Sequence, residues 1–384
     1  MQSYQEWLDA LRSHKEDERW LDAHGDDIQA IIRTCLSVPH KFEIGTELLI
    51  MAFPYYALYR ATNTSTWIGL LIDGLLQAQE REDEEIETQL MSYVAEGRMA
   101  QGNLETAYIA YTYVIEQAHA KANMSLELEG HTGLIWLQAI HQNKTSSLNN
   151  DLIENALNLA RLLGNSETTA RLYHALAAVY IQYRYSDKAL EYGQMAYAYW
   201  LNRNERIGQA KVAYSLASAY RMIDRLELAD SFLAIAMDVF SKTNYQRQYI
   251  LTVYERGVLF WKRGLFEEAE QWLNEALVEA QKLGVNFHIA SVNQALGQVY
   301  IDLDRLQDAR ERLKAAQVSW KDINNIYQQA SVCCILACLE NKAGDPDAAG
   351  ECIALARSLC SQIIEDNLRE KMEKFIENAE SGIC

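Results

Sequence analysis

Small side chains return along this chain at one fixed interval. Alanine stands at 189, 229, 269, 309 and 349, and again at 196, 236, 276, 316 and 356, so both series step by 40. A third series, Ala177, Ala217, Gly257, Gly297 and Ala337, keeps the same step, as do the aromatic residues Tyr180, Tyr220, Phe260 and Tyr300. Several registers sharing one period mark a tandem array, whose units bury their apolar faces only against one another. In a unit begun near 170, 210, 250 or 290, a small residue holds position 8, the aromatic position 11, a turn falls near 15, and alanines hold 20 and 27. The chain has 384 residues, 49% of them apolar, with only 3 prolines and 18 glycines, so it lacks the punctuation of a β protein and each unit reads as a helical hairpin.

The residue types follow from close packing. Two helices that cross tightly tolerate only Ala or Gly where their backbones approach, at positions 8, 20 and 27. The aromatic at 11 is expected to fill the space between adjacent units. The segments ILTVYERGVLFWKRGLFEEAEQWLNEA from Ile250 and ASVNQALGQVYIDLDRLQDARERLKAA from Ala290 show the pattern most fully. This pattern resembles the tetratricopeptide repeat, whose L-G-x-x-Y core stands here as Leu296, Gly297 and Tyr300. The family's terminal proline is absent and the period exceeds its usual 34 residues, which argues for longer helices. The resemblance implies an all-α fold, a right-handed TPR superhelix (α-solenoid) with an N-terminal helical cap or bundle.

Projected along the chain, the register gives seven TPR-like hairpins over 88–370, starting near 88, 130, 170, 210, 250, 290 and 330. Residues 1–87 lie outside it and read as helices over Ser3–Leu11, Arg19–Leu36, Phe42–Arg60 and Thr66–Arg81, an N-terminal cap or bundle. The acidic run EREDEEIE from Glu80 forms a solvated junction. Residues 371–384 close the chain as the end of a capping helix and a tail.

Charge narrows the function. A formal charge of −18 repels phosphate backbones and anionic membrane surfaces. The N-terminus carries acids where a secretory signal needs a basic and then an apolar stretch, so the chain is expected to be cytoplasmic. The strongest apolar run, Leu48 to Tyr59, contains Pro54 and falls short of the ~20 residues that span a bilayer; it reads as a buried helix. Seven cysteines, most of them near the C-terminus, read as reduced thiols.

The TPR resemblance also implies a concave wall, lined by positions 2, 5, 9, 12 and 13 of each first helix. Among thirty residues so assigned, only Asp302 is acidic. Arg171, Lys211, Arg221 and Lys262 fall beside His174, Tyr214, Tyr254 and Trp261, and Gln294 and Gln298 follow, giving a peptide-binding set that is cationic and aromatic with amides for a bound backbone. Such a wall suits a protein or peptide partner with acidic and hydrophobic anchors. His131, His141, Gln142, Ser331, Cys334 and Cys338 belong to the same projected positions.

The motifs of phosphate cradles, nucleophile elbows and zincin helices are missing, so no enzyme activity, catalytic residue, metal or cofactor is expected. The Cys333, Cys334 and Cys338 cluster reads as packing, with a redox or soft-metal role as the sharper alternative. A cytosolic peptide- or protein-binding adaptor or sensor is the function expected. Period, repeat number, N-terminal helices and length are similar to the bacterial Rap family, in which peptide binding in the groove is coupled to control of a partner, and to the sensor domains of maltose-regulator-like activators. Rap effector residues find no match here, so phosphatase activity does not carry over. A Rap-like enzymatic or effector role for residues 1–87, or a self-associating scaffold, is the alternative.

Overall fold

A computed structural model describes residues 3–14, 17–59, 64–140, 148–363 and 366–381. Among these residues every regular element is helical. The N-terminal helices are α1 (Tyr4–His14), α2 (Glu18–Ser37), α3 (Phe42–Phe53) and α4 (Thr64–Glu80). Pro54 ends α3 because it has no amide to donate, and the chain continues as a π turn over Pro54–Tyr59. Leu48, Leu49, Ala52 and Phe53 are buried, so the strongest apolar run of the sequence is core. No described helix is long and apolar enough to cross a membrane.

Helical hairpins follow in sequence: α5 (Glu84–Ala100) with α6 (Leu104–Ala120), α7 (Met124–Ile140) with α8 (Asn150–Leu163), α9 (Glu167–Gln182) with α10 (Ser186–Asn202), and α11 (Arg206–Met222) with α12 (Leu226–Phe240). Then come α13 (Gln246–Lys262) with α14 (Phe266–Leu283), α15 (Asn286–Asp302) with α16 (Leu306–Asp322), α17 (Ile326–Ala343) with α18 (Pro346–Cys360), and a last helix, α19 (Asp366–Glu380). Side-chain caps start several of them: Asp83 accepts from the Ile86 amide, Asn325 from Gln328 and Asp345 from Ala348. The fold is an all-α solenoid of hairpins.

The period of 40 reappears as geometry. Ala189, Ala229, Ala269 and Ala309, and Ala196, Ala236, Ala276, Ala316 and Ala356, are at most 1% exposed. Gly257 and Gly297 lie so close to Leu273 and Leu313 of their own hairpins that an added Cβ would stand 2.7 and 2.5 Å from the leucine Cγ. The turns repeat as well. The amides of Tyr185, Arg225, Leu265, Arg305 and Asp345 bond the carbonyls of Tyr180, Tyr220, Phe260, Tyr300 and Glu340. The residue before each of these donors, Arg184, Asp224, Gly264, Asp304 or Gly344, has positive φ, as a helix ending in a left-handed residue requires.

Two sequence expectations need adjustment. The aromatic at position 11 does not serve only the space between units: Tyr180 stacks on Tyr192 and Tyr220 on Phe232, each in its own hairpin. The register also slips later than projected. Helix α7 begins 40 residues after α5 and α9 begins 43 after α7. The extra length lies in the connection from Ile140 to Asn150, longer than its counterpart from Gln182 to Ser186. The second hairpin therefore aligns near 128, not 130.

The chain divides into two compact units. Among the described residues, one holds those up to Leu216 together with Val239–Tyr245; the other holds Ala217–Asp238 and those from Gln246 onward. In the first, the N-terminal helices and α5 share a core that includes Leu11, Ile32, Phe53, Trp67, Leu71, Leu90 and Val94. The bundle thus has no seam at residue 87, which falls inside α5. A polar triangle ties this bundle to the segment after α12: Asn244 Nδ2 donates to Asp22 Oδ2 (3.1 Å) and to Tyr55 Oη (2.9 Å), and Tyr55 donates to Asp22 Oδ1 (2.7 Å).

In the second unit, one core runs through α13 to α17, including Val253, Leu273, Leu296, Leu313 and Leu336. Another joins Cys334 and Cys338 of α17 to Met372, Ile376 and Ala379 of α19. Residues 331–340 of α17 are all buried. Cys333 and Cys334 carry free thiols, as do Cys35, Cys352 and Cys360. Cys338 is disulfide-bonded, a departure from the expectation of seven reduced thiols. Residues 382–384 of the projected tail lie outside the described residues.

Candidate functional site

The first helices of the middle hairpins have a face that their neighbours leave half open. On α9, α11, α13 and α15 the small positions are buried, whereas His174, Tyr214, Tyr254, Gln294 and Gln298 are intermediate in exposure and Arg171 is exposed. The helical period separates the two classes, because positions 5 and 9 lie one turn apart while position 8 faces the partner helix.

In the first unit, Arg171 of α9 reaches two carboxylates on neighbouring first helices, Glu96 Oε1 of α5 at 3.6 Å and Glu129 Oε1 of α7 at 4.0 Å. Burial holds the Glu129 carboxyl above its ordinary range, and the Arg171 charge opposes that shift. His174 meets Ser215 Oγ of α11 at 3.0 Å and lies edge-on to Trp136 of α7, with ring centres 5.0 Å apart. Its pKa is pushed down to about 3, chiefly by burial and further by the Lys211 charge, so the ring is neutral. The Lys211 ammonium lies 5.3 Å from the centre of the Tyr245 ring.

In the second unit, Arg221 Nη2 stands 3.4 Å from Glu255 Oε2 of α13. Burial, and next to it the Glu255 charge, raise the Tyr254 phenol pKa. Trp261 Nε1 donates to Asp302 Oδ2 of α15 at 2.5 Å. Gln294 Nε2 donates to Ser331 Oγ of α17 (3.3 Å) and its Oε1 accepts from Trp320 Nε1 (2.9 Å). Lys342 Nζ of α17 reaches the Ile301 carbonyl at 2.6 Å and Asp304 at 3.3 Å. Lys262 is exposed and Gln298 half-buried on the same helices. Side-chain bonds between neighbouring first helices thus recur about one period apart in each unit.

Four of the projected residues, Arg171, His174, Lys211 and Tyr214, fall in the first unit, and the other six fall in the second. The residues that the projection did not include are their partners: Glu96, Glu129, Trp136, Ser215, Tyr245, Glu255 and Trp320. Three of these are carboxylates, so the face is a ladder of mixed charge and not a purely cationic wall. In the last hairpin the same positions, Ser331, Cys334 and Cys338, are buried.

The register slip relocates His131. Two residues apart on a helix means about 200° of rotation, so Glu129 faces Arg171 while His131 points to the side of α6 and α8. The projected His141 and Gln142 lie outside the described residues. Among the described residues no group of three or more His, Cys, Asp or Glu side chains is placed to hold a metal ion.

No protein-family model and no curated protein matches the sequence. Solved structures share the fold. The apo form of RapI aligns with a TM-score of 0.59 at 13% identity, over 77% of this chain and 85% of that one. A Rap protein complexed with competence and sporulation factor gives 0.55 at 13% identity, over 96% and 98%. Aspartyl phosphate phosphatase F from Bacillus subtilis gives 0.56 at 12% identity, over 94% and 95%. With hairpins in series behind an N-terminal helical bundle, the chain has a TPR-like helical-repeat fold of Rap-type architecture.

Proposed function

We propose that this protein is a regulatory adaptor or sensor that holds a peptide, or a segment of a partner protein, against the open face of its first helices, and that it acts by binding and not by catalysis. One observation carries the reading: in each unit that face presents half-exposed aromatic side chains, joined in the second by amides, beside an arginine ion-paired within the protein. Tyr214 accompanies Arg171 with Glu96 and Glu129; Tyr254, Trp261, Gln294 and Gln298 accompany Arg221 with Glu255. A carboxylate on the partner exchanges with an internal glutamate for the guanidinium, and an apolar anchor lies on the aromatic ring. The exchange keeps the arginines from standing bare in the free protein and makes the affinity depend on salt.

A Rap protein solved with competence and sporulation factor has this fold, which supports the mode. The His174–Ser215 pair supports binding over nucleophilic chemistry, because Ser215 is only 7% exposed and the imidazole serves to lace α9 to α11. The test is capture of partners from the native cell by the wild-type chain and by a variant with Arg171, Lys211, Arg221 and Lys262 all changed to Glu. Loss of specific partners with the helical spectrum intact supports the assignment; survival of every partner removes it.

A further inference from the structure

A cleft of about 480 Å³ opens between α6, α7 and α8, within the first unit and away from the face described above. Its apolar lining is Ile115 and Leu159, with Leu162, 72% exposed, at the rim. Glu116, Glu127, His119 and His131 supply its titratable groups, and Asn155 and Asn158 its amides. The four titratable groups come from α6 and α7; α8 presents the two amides.

His131 is the unusual member. It is 8% exposed, and its Nδ1 has no hydrogen-bond partner among the described residues, although buried polar atoms are nearly always partnered. Burial lowers its pKa, so the ring is neutral at neutral pH. A neutral imidazole that carries its proton on Nε2 offers Nδ1 as an acceptor. The other polar groups are already arranged: His119 Nδ1 lies 3.0 Å from Glu127 Oε1, and Asn158 Oδ1 accepts from Arg161 Nη1 at 2.5 Å. Arg161 is held there, and among the described residues neither it nor any lysine lines the cleft.

We infer that this cleft is a binding site for an ammonium group on an aliphatic stem. The stem lies on Ile115 and Leu159, and the ammonium donates to His131 Nδ1 and to the carboxylates of Glu116 and Glu127. Its three protons match the three acceptors in number. The net charge of −18 raises the local concentration of cations around the site. The volume leaves room for a short alkyl amine, or for the side chain of one lysine together with the chain that carries it.

The test titrates the full chain at low salt with pentylammonium, with pentanol as the neutral match and with pentanoate as the anion. Calorimetry gives affinity, and the imidazole C2–H resonances give the place. Expected are saturable pentylammonium binding that moves the His131 resonance, and at least about tenfold weaker binding of the alcohol and the acid. Glu116→Gln and Glu127→Gln each weaken pentylammonium by about tenfold or more, the factor set by one charge-assisted hydrogen bond. Nα-acetyl-lysine methyl ester separates the sources: binding as tight as pentylammonium assigns a lysine of a polypeptide, and tenfold weaker binding assigns a free amine. Pentanol binding as tightly as pentylammonium, an unmoved His131 resonance, or undiminished binding by both folded Gln variants overturns the inference.

Discussion

Gly297 and Leu313 meet across the α15–α16 hairpin with no room for a methyl group, since a Cβ on Gly297 would stand 2.5 Å from Leu313 Cγ. Two effects compete when that glycine becomes alanine. Helix propensity favours Ala by up to about 1 kcal/mol, whereas overpacking a close-packed contact costs about 1–3 kcal/mol. Gly297→Ala is therefore expected to lower stability in urea unfolding. Gly350 of α18 meets nothing within 4 Å, so Gly350→Ala feels propensity alone and is expected to raise stability by about 0.5–1 kcal/mol. Equal signs for the two variants would contradict the packing account.

The turn residues give a second sign test. Arg184 sits at φ +65 in the position that Gly264 and Gly344 hold two and four repeats later. A side chain in the left-handed region costs about 1 kcal/mol relative to glycine. Arg184→Gly should therefore stabilise the α9–α10 hairpin by about that amount, and Gly264→Ala should destabilise its own by as much. Thermal midpoints of the two variants should move in opposite directions.

The buried Glu340, paired with the half-buried Arg310, replaces an aromatic. Glu340 occupies the place of Tyr180, Tyr220, Phe260 and Tyr300 in the series, is 8% exposed, and receives Arg310 through both guanidinium arms at 2.8 and 2.6 Å. Arg310→Ala leaves that carboxylate uncompensated and is expected to cost about 3 kcal/mol. Adding Glu340→Phe to it restores the aromatic of the other repeats and should recover most of the loss. A double variant no more stable than Arg310→Ala would show that the site does not accept a ring.

Acid should weaken the fold through its histidines. The pKa of His174 falls to about 3 and that of His288 to about 4, both mainly through burial, against about 6.5 in the unfolded chain. Between those values the unfolded state binds more protons, so their contribution is whole above about pH 6.5 and declines as the pH falls. Denaturant midpoints should drop between pH 7 and pH 5, and His174→Gln should flatten that slope. A His174 C2–H resonance titrating near pH 6.5 would refute the burial account.

The repeat was legible because a backbone contact admits only the smallest side chains, and alanines at an unbroken step of 40 leave a mark that needs no knowledge of partners. The half-open face was legible in part, because helical spacing places His174, Tyr214 and Tyr254 one turn from the buried positions. Their partners were not. Glu96 and Glu129 lie 75 and 42 residues before Arg171, and only the lateral register of three helices brings them together. That register changed in the connection after α7, which turned His131 toward α6 and α8. In the last hairpin a polar-looking helix, α19, shares a core with Cys334 and Cys338, an event that no feature of α17 itself announces.

The covering of α17 by α19 has a practical sequel. Cys334 is inaccessible within the core that Met372, Ile376 and Ala379 of α19 help to close, so a thiol reagent reads how often that core opens. At reagent concentrations where opening is a rapid pre-equilibrium, the modification rate of Cys334 relative to an unprotected thiol gives the free energy of that local opening. The solenoid's own terminus thus carries the gauge of its fraying.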